Sequence, residues 1–203
     1  MQKKGNKKKE TKIKEKSIFI KWIHNTFLIA AFLFILALIV RLAYYYSNKK
    51  LSDGNYSILG IPFSDAQMWE MIGSNLSEGK GLSISYRPFY SMFLSFFYTW
   101  FGPSLGVAKT LNMMANALTV SFVYMIGEKC FNKIIGFIAA LTILFSAEML
   151  YYNLLTMTEI VGLFFLVMSI YFIIIGIERK SGLLLFISGL IFAGIPTMLL
   201  FAP

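Results

Sequence analysis

PFYSMFLSFFYTWF, residues Pro88–Phe101, is the stretch whose reading decides the fold. It runs apolar and aromatic for only about 14 residues, the length at which a segment lying on or in a membrane is favoured over one that crosses it. Its Tyr90, Tyr98 and Trp100 carry rings of the kind that settle among lipid headgroups. Around it stand five cleaner apolar runs, at 27–40, 118–126, 134–145, 160–175 and 183–195. Extended by small and aromatic neighbours, most reach the roughly 20 residues that cross the hydrocarbon core as a helix. None shows the alternation of polarity that marks a barrel strand. With 57% apolar and only 14% charged residues, the chain reads as all-α, a polytopic bundle of transmembrane helices.

Charge decides whether Pro88–Phe101 is a sixth crossing. With a cytoplasmic N-terminus, six crossings put Lys129, Lys133, Arg179 and Lys180 outside, against the positive-inside bias. Laid along the outer interface instead, the stretch leaves about five crossings: 22–46, 105–127, 133–152, 158–177 and 183–203. The basic loops 127–133 and 178–182 then face the cytoplasm. Residues 47–104 become an external loop with interfacial helices, on the same face as the turn near 153–158. Residues 1–21 form a basic cytoplasmic tail, and 22–203 a multi-pass domain of the cell membrane.

The tail holds nine lysines against Glu10 and Glu15, and supplies most of the formal +9. Such a block beside a first apolar run marks a cytoplasmic segment drawn to anionic headgroups. It lacks the aromatic interleaving of a nucleic-acid platform, so no nucleic-acid partner is expected. Residues 22–46 are too long for a signal-peptide core of about 7–15 residues, and no small-x-small site follows them. They read as a retained anchor. Cys130 and His24 are each the only residue of their kind, which excludes an internal disulfide, a His/Cys metal cluster and a histidine-based triad.

Residues 47–87 form a polar, glycine-punctuated island with four of the ten acidic residues. Loops of this length are functional or disordered, and Ile58, Leu59, Ile61, Phe63, Met68, Trp69 and Ile72 favour a folded element. Ser64 and Gln67 have capping-box spacing, which predicts a short helix from Asp65 toward Ser77, ended by Gly79 and Gly81. Thr158 reads as the N-cap of the fourth crossing, with Glu159 in its first turn. Asp65 and Glu159 thus open two helices facing one compartment. Such a pair suits a general base and a ligand for a divalent cation, magnesium or manganese. On spacing alone, the helix dipole accounts for acids at these positions better than a shared chemical role does.

The ordered features resemble a family. They are Arg41-Leu42, Asp65-Ala66-x-x-Trp69, Gly79-x-Gly81, Arg87-Pro88-Phe89-Tyr90, Lys109-Thr110-Leu111-Asn112 and Val123-Tyr124-x-x-Gly127-Glu128-Lys129. Gly136-Phe137-x-Ala139-Ala140, Tyr151-Tyr152 and Thr158-Glu159 follow. Over about residues 35–203 this series looks like the N-terminal half of the polyprenyl-phosphate-sugar-dependent glycosyltransferases of the C-type superfold. The branch of protein O-mannosyltransferases and lipid A aminoarabinose transferases is the most similar. The resemblance implies that Asp65 is the catalytic base and Glu159 a second acid. It also implies interfacial helices in the first external loop, a polyprenyl-phosphate-sugar donor, and a lipid, glycan or protein acceptor on the external face. Three positions depart from the pattern: Phe89 where a second proline is usual, Lys109 for an arginine, and Glu148 where a proline is common. Glu148 is a further candidate acid.

Arg41 and Arg87 suit bidentate contact with the donor phosphate, although Arg41 equally suits snorkelling to the headgroups. Trp69 and Tyr90, with Tyr44, Tyr45, Tyr46, Tyr86, Tyr151 and Tyr152, offer rings to a sugar or a lipid carrier. An interfacial aromatic belt explains them too. Lys80 reads as solvated. Resembling enzymes continue with several more helices beyond the position matching 203, so the resemblance covers either a truncated product or a separately encoded half. A truncated product would carry these residues without activity. The competing reading is a non-catalytic membrane protein, a flippase component or an assembly partner. An ion-coupled transporter fits less well, because the ionisable residues lie at the membrane edges.

Overall fold

The computed structural model describes residues 25–48, 64–81, 88–155 and 157–199, with the side chains of 64–67 and 196–199 outside the description. The basic tail, Tyr86 and Arg87 also lie outside the described residues. Among the described residues all regular structure is helical. The elements are α1 Thr26–Ser47, α2 Ser64–Ser77, α3 Pro88–Phe101, α4 Leu105–Cys130, α5 Lys133–Leu144, α6 Ala147–Tyr152, α7 Thr158–Glu178 and α8 Gly182–Leu199.

Local chemistry sets these ends. Asn25, Ser104 and Asn132 each accept a backbone N–H from the first turn of α1, α4 and α5, at 3.1, 3.2 and 2.9 Å. Pro88 opens α3, where its missing N–H costs nothing. Gly102, at φ 78°, closes it by donating to the Tyr98 carbonyl at 2.9 Å. Beyond α2, Gly79 and Gly81 take φ of 75° and 89°, as the glycine punctuation predicts.

Two expected boundaries differ. The 133–152 stretch is two helices rather than one, because the Ser146 hydroxyl caps Met149 N–H at 3.5 Å and starts α6 afresh. Met157, not Thr158, is the N-cap of α7. Thr158 is itself the first helical residue of α7; it is buried and donates its hydroxyl to Glu159 Oε2 at 3.2 Å.

α1, α4 and α7 are long and apolar enough to cross a membrane; Lys133–Leu144 and Gly182–Ile195 are shorter apolar helices. α4 is the hub, packing against α1, α5, α7 and α3, while α2 pairs with α3 and α7 with α8. Where lipid tails remove the hydrophobic drive between helices, small residues and polar contacts hold them together. Gly127 and Gly136 face one another across α4 and α5: a Cβ on Gly127 would lie 2.5 Å from the Gly136 Cα. Ser121 donates to the Ala30 carbonyl of α1 at 2.8 Å, and Ser188 of α8 to the Ser169 carbonyl of α7 at 3.1 Å.

The helices alternate in direction, which gives the bundle two chemically distinct ends. At one, Thr26 donates to Glu128 Oε1 at 2.8 Å, Lys133 pairs with Glu128 at 3.6 Å, and Lys129 with Glu178 at 2.8 Å. Arg179 and Lys180 follow Glu178 there. The other end gathers the close of α1, the start of α4, α6 and the start of α7. Trp69, Tyr90, Leu94, Tyr98, Ala108, Leu111, Ala115, Ile160 and Val161 form its buried core, which joins α2 and α3 to α4 and α7.

Candidate functional site

The end opposite the basic residues is organised by one polar stripe on α4. Lys109, Asn112, Asn116 and Thr119 recur at helical spacing, and all four are buried. Asn116 Oδ1 accepts from Arg41 Nη2 at 2.7 Å, and its Nδ2 donates to the Met149 carbonyl of α6 at 3.0 Å. Asn112 Oδ1 accepts from the Tyr90 hydroxyl at 3.1 Å, and its Nδ2 donates to the Met157 carbonyl at 3.1 Å. The two amides therefore tie α1, α3, α6 and the start of α7 to α4.

Of the predicted residues, Arg41 and Tyr90 bind this stripe directly. Arg41 is 1% exposed, and Nη1 also donates to the Ala37 carbonyl at 3.1 Å, while Nε makes no hydrogen bond. It is turned into the bundle rather than out to headgroups, so the snorkelling reading fails. Tyr90 is buried and takes the Trp69 ring edge-on, with centroids 5.7 Å apart. Both aromatics belong to the packed core and not to a free aromatic belt. Glu159 is half-buried in the first turn of α7, two residues after the carbonyl that Asn112 holds. Glu148 is exposed in the first turn of α6. Asp65 stands one turn before Trp69 in α2, and its side chain is outside the described residues, as is Arg87 altogether.

Glu70 is a residue that sequence reasoning missed. It is half-buried on α2, and burial pushes its carboxyl up from the ordinary range, against the opposing charge of Lys109. The Tyr90 phenol is raised first by burial, then by Tyr98, with Glu70 and Glu159 adding smaller contributions and the Asn112 hydrogen bond opposing. Tyr90 therefore feels both glutamates. Tyr98 is raised by burial and then by Glu70. Lys109, 4% exposed, places Nζ 5.6 Å from the centre of the Tyr45 ring. The signal for this arrangement was the polar stripe itself: Lys109, Asn112 and Asn116 share one face of a helix long enough to cross a membrane.

Among the described residues no three His, Cys, Asp or Glu side chains come together. A protein-only cation cage is thus not formed by them.

The model of the dolichyl-phosphate-mannose-protein mannosyltransferase family matches residues 86–199, more than half of the chain. The match spans α3 to α8 and includes Arg87, Tyr90, Lys109, Asn112, Asn116 and Glu159. Arg41, Asp65, Trp69 and Glu70 precede it. No curated protein and no solved structure matches. With an all-helical bundle, membrane-length apolar helices and this match in hand, the chain belongs to the dolichyl-phosphate-mannose-protein mannosyltransferase family, the membrane glycosyltransferases of the C type.

Proposed function

We propose that this chain supplies the donor-side part of an enzyme that moves a sugar from a polyprenyl-phosphate carrier to an acceptor hydroxyl at the external membrane face. The observation that carries this reading is Asn112, whose amide holds both the Tyr90 hydroxyl and the Met157 carbonyl just before Glu159, at the end of the bundle away from Lys129, Lys133, Arg179 and Lys180. Positive residues favour the cytoplasmic side, so that end is external, with five crossings and with α2 and α3 at the outer interface.

Asp65 is the general base. It takes the acceptor proton as the hydroxyl oxygen bonds to the anomeric carbon and the carbon–oxygen bond to the phosphate breaks, releasing polyprenyl phosphate. Arg87 holds that phosphate. Glu159, whose helix start is pinned by Asn112, orients the base. Asp65 and Glu159 would hold magnesium or manganese, which would offset charge on the leaving phosphate. The acceptor is a lipid, a glycan or a protein.

Replacing Asp65 by Asn tests the assignment in full chain reconstituted with a polyprenyl-phosphate-mannose donor. Transfer should fall by at least about 100-fold, the scale of a lost general base, with expression and helix content unchanged. Near-normal turnover by this variant refutes the role, and favours a non-catalytic assembly partner.

A further inference from the structure

The turn between α7 and α8 has a lysine where glycine is the ordinary choice. Ser181 N–H donates to the Gly176 carbonyl at 2.9 Å, and Lys180 N–H to the Ile177 carbonyl at 3.2 Å. This double closure puts Lys180 in the left-handed region at φ 50°, the one such non-glycine among the described residues. A side chain there carries a steric cost that glycine avoids. A lysine kept against its backbone preference needs its reason in the side chain.

The charges at this end leave that side chain available. Lys129 Nζ lies 2.9 and 2.8 Å from Glu178 Oε1 and Oε2, and Lys133 pairs with Glu128 at 3.6 Å. Both acids are thereby engaged by cations of α4 and α5. Arg179 and Lys180, adjacent and exposed, have no ion pair and no side-chain hydrogen bond among the described residues. Apolar side chains bracket them: Ile177 is 65% exposed before the turn and Leu183 68% after it. Phe131 is 71% exposed at the end of α4, which the Lys129–Glu178 pair brings alongside. Such side chains sit in hydrocarbon, which holds the two cations at the level of the lipid phosphates.

We propose that the α7–α8 turn is a docking site for an anionic phospholipid, whose phosphate lies between Arg179 and Lys180. A glycerol headgroup with one net negative charge fits. A zwitterionic headgroup brings its own ammonium group to a pair that is already positive. Glu178, held by Lys129, is kept from neutralising that pair. A soluble acidic partner would have to reach cations flanked on both sides by residues that sit in lipid. The site is at the opposite end of the bundle from the Asn112 network, and the inference stands independently of the transferase reading.

Cys130, exposed and the only cysteine of the chain, adjoins Lys129 and so reports from beside this turn. The full chain, carrying a fluorophore on Cys130, is placed in phosphatidylcholine vesicles. Phosphatidylglycerol or phosphatidylcholine with a nitroxide at the top of the acyl chain is then titrated in. Phosphatidylglycerol should quench at the lower mole fraction. A cation near the surface strengthens attraction to an anionic lipid about fivefold, so Arg179→Gln and Lys180→Gly should each lower that preference about fivefold. Lys180→Gly also relieves the left-handed backbone, so it should keep or gain stability while losing lipid, which a merely structural lysine would not do. Glu178→Gln releases Lys129 and should raise the preference. Lys80→Gln removes the same charge beyond α2 and should leave it unchanged. The lysine tail is common to every variant, so its own attraction cancels in these comparisons. Equal quenching by the two lipids, unchanged preference in the Arg179→Gln/Lys180→Gly double variant, or preference that persists at about 1 M salt, where screening acts over about 3 Å, overturns the proposal.

Discussion

The Arg41–Asn116 contact makes the sharpest prediction, because it separates a charge buried for structure from one at the membrane edge. Asn116→Leu removes the 2.7 Å acceptor and leaves the guanidinium with the Ala37 carbonyl alone. In a soluble core, stranding a buried charge costs about 3–5 kcal/mol. Arg41→Met leaves only a neutral amide oxygen unmet, which costs about 1–3 kcal/mol. The double variant strands neither group, so it should be more stable than the sum of the single effects. Polar contacts inside membranes are weaker than these figures, averaging about 0.6 and reaching about 1.7 kcal/mol. The expected coupling is therefore about 1–2 kcal/mol, with Asn116→Leu the less stable single variant. SDS-driven unfolding from mixed micelles, followed by circular dichroism, measures it. Additivity to within about 0.5 kcal/mol, or a neutral Arg41→Met, would refute the inward-facing arginine and restore a snorkelling one.

Three further outcomes follow from the same structure. Gly136→Ala would place a Cβ 2.6 Å from the Tyr124 carbonyl oxygen; forcing α4 and α5 apart should cost about 1–3 kcal/mol in the same unfolding assay, and a change below ~0.5 kcal/mol would contradict the close crossing. Glu70 has its folded pKa raised above the ordinary 4.5, so its contribution is fully present below that value and is lost as pH rises through the folded pKa. Glu70→Gln should flatten the fall of stability with rising pH in that window, and an unchanged pH profile would show that the carboxyl is not buried as described. Chelation by EDTA should abolish transfer, and magnesium or manganese should restore it; activity that persists in excess chelator argues against the Asp65 and Glu159 ion.

Much of the architecture could be read from residue order, because the relevant forces act locally. Apolar run length predicts α1, α4 and α7, and Gly79 and Gly81 predict the end of α2, since only positive φ fits there. The break before α6 was hidden because a run of apolar letters does not reveal that Ser146 will cap instead of continuing a helix. Arg41 was ambiguous for a related reason. An arginine near a helix end reaches headgroups or turns inward, and the choice belongs to Asn116, 75 positions later. Glu70 was passed over because its neighbours Lys109, Tyr90 and Tyr98 come from two other helices. Acids at helix starts have a reason in the sequence, the helix dipole, whereas Glu70 sits in mid-helix.

The departure at position 109 then acquires a physical sense. A lysine ammonium is a compact point charge, whereas an arginine carries a planar fork that seeks bidentate partners. Lys109 is nearly enclosed, lies against the Tyr45 ring, and acts on Glu70. An arginine there would bring more donors in a fixed plane, each needing a partner inside the bundle. The lysine charge opposes the burial that raises the Glu70 carboxyl. The same stripe that anchors Tyr90 and the start of α7 through Asn112 thus also carries the charge that acts on Glu70. The helix start that carries Glu159 and the charge that acts on Glu70 are both set from one buried face of α4.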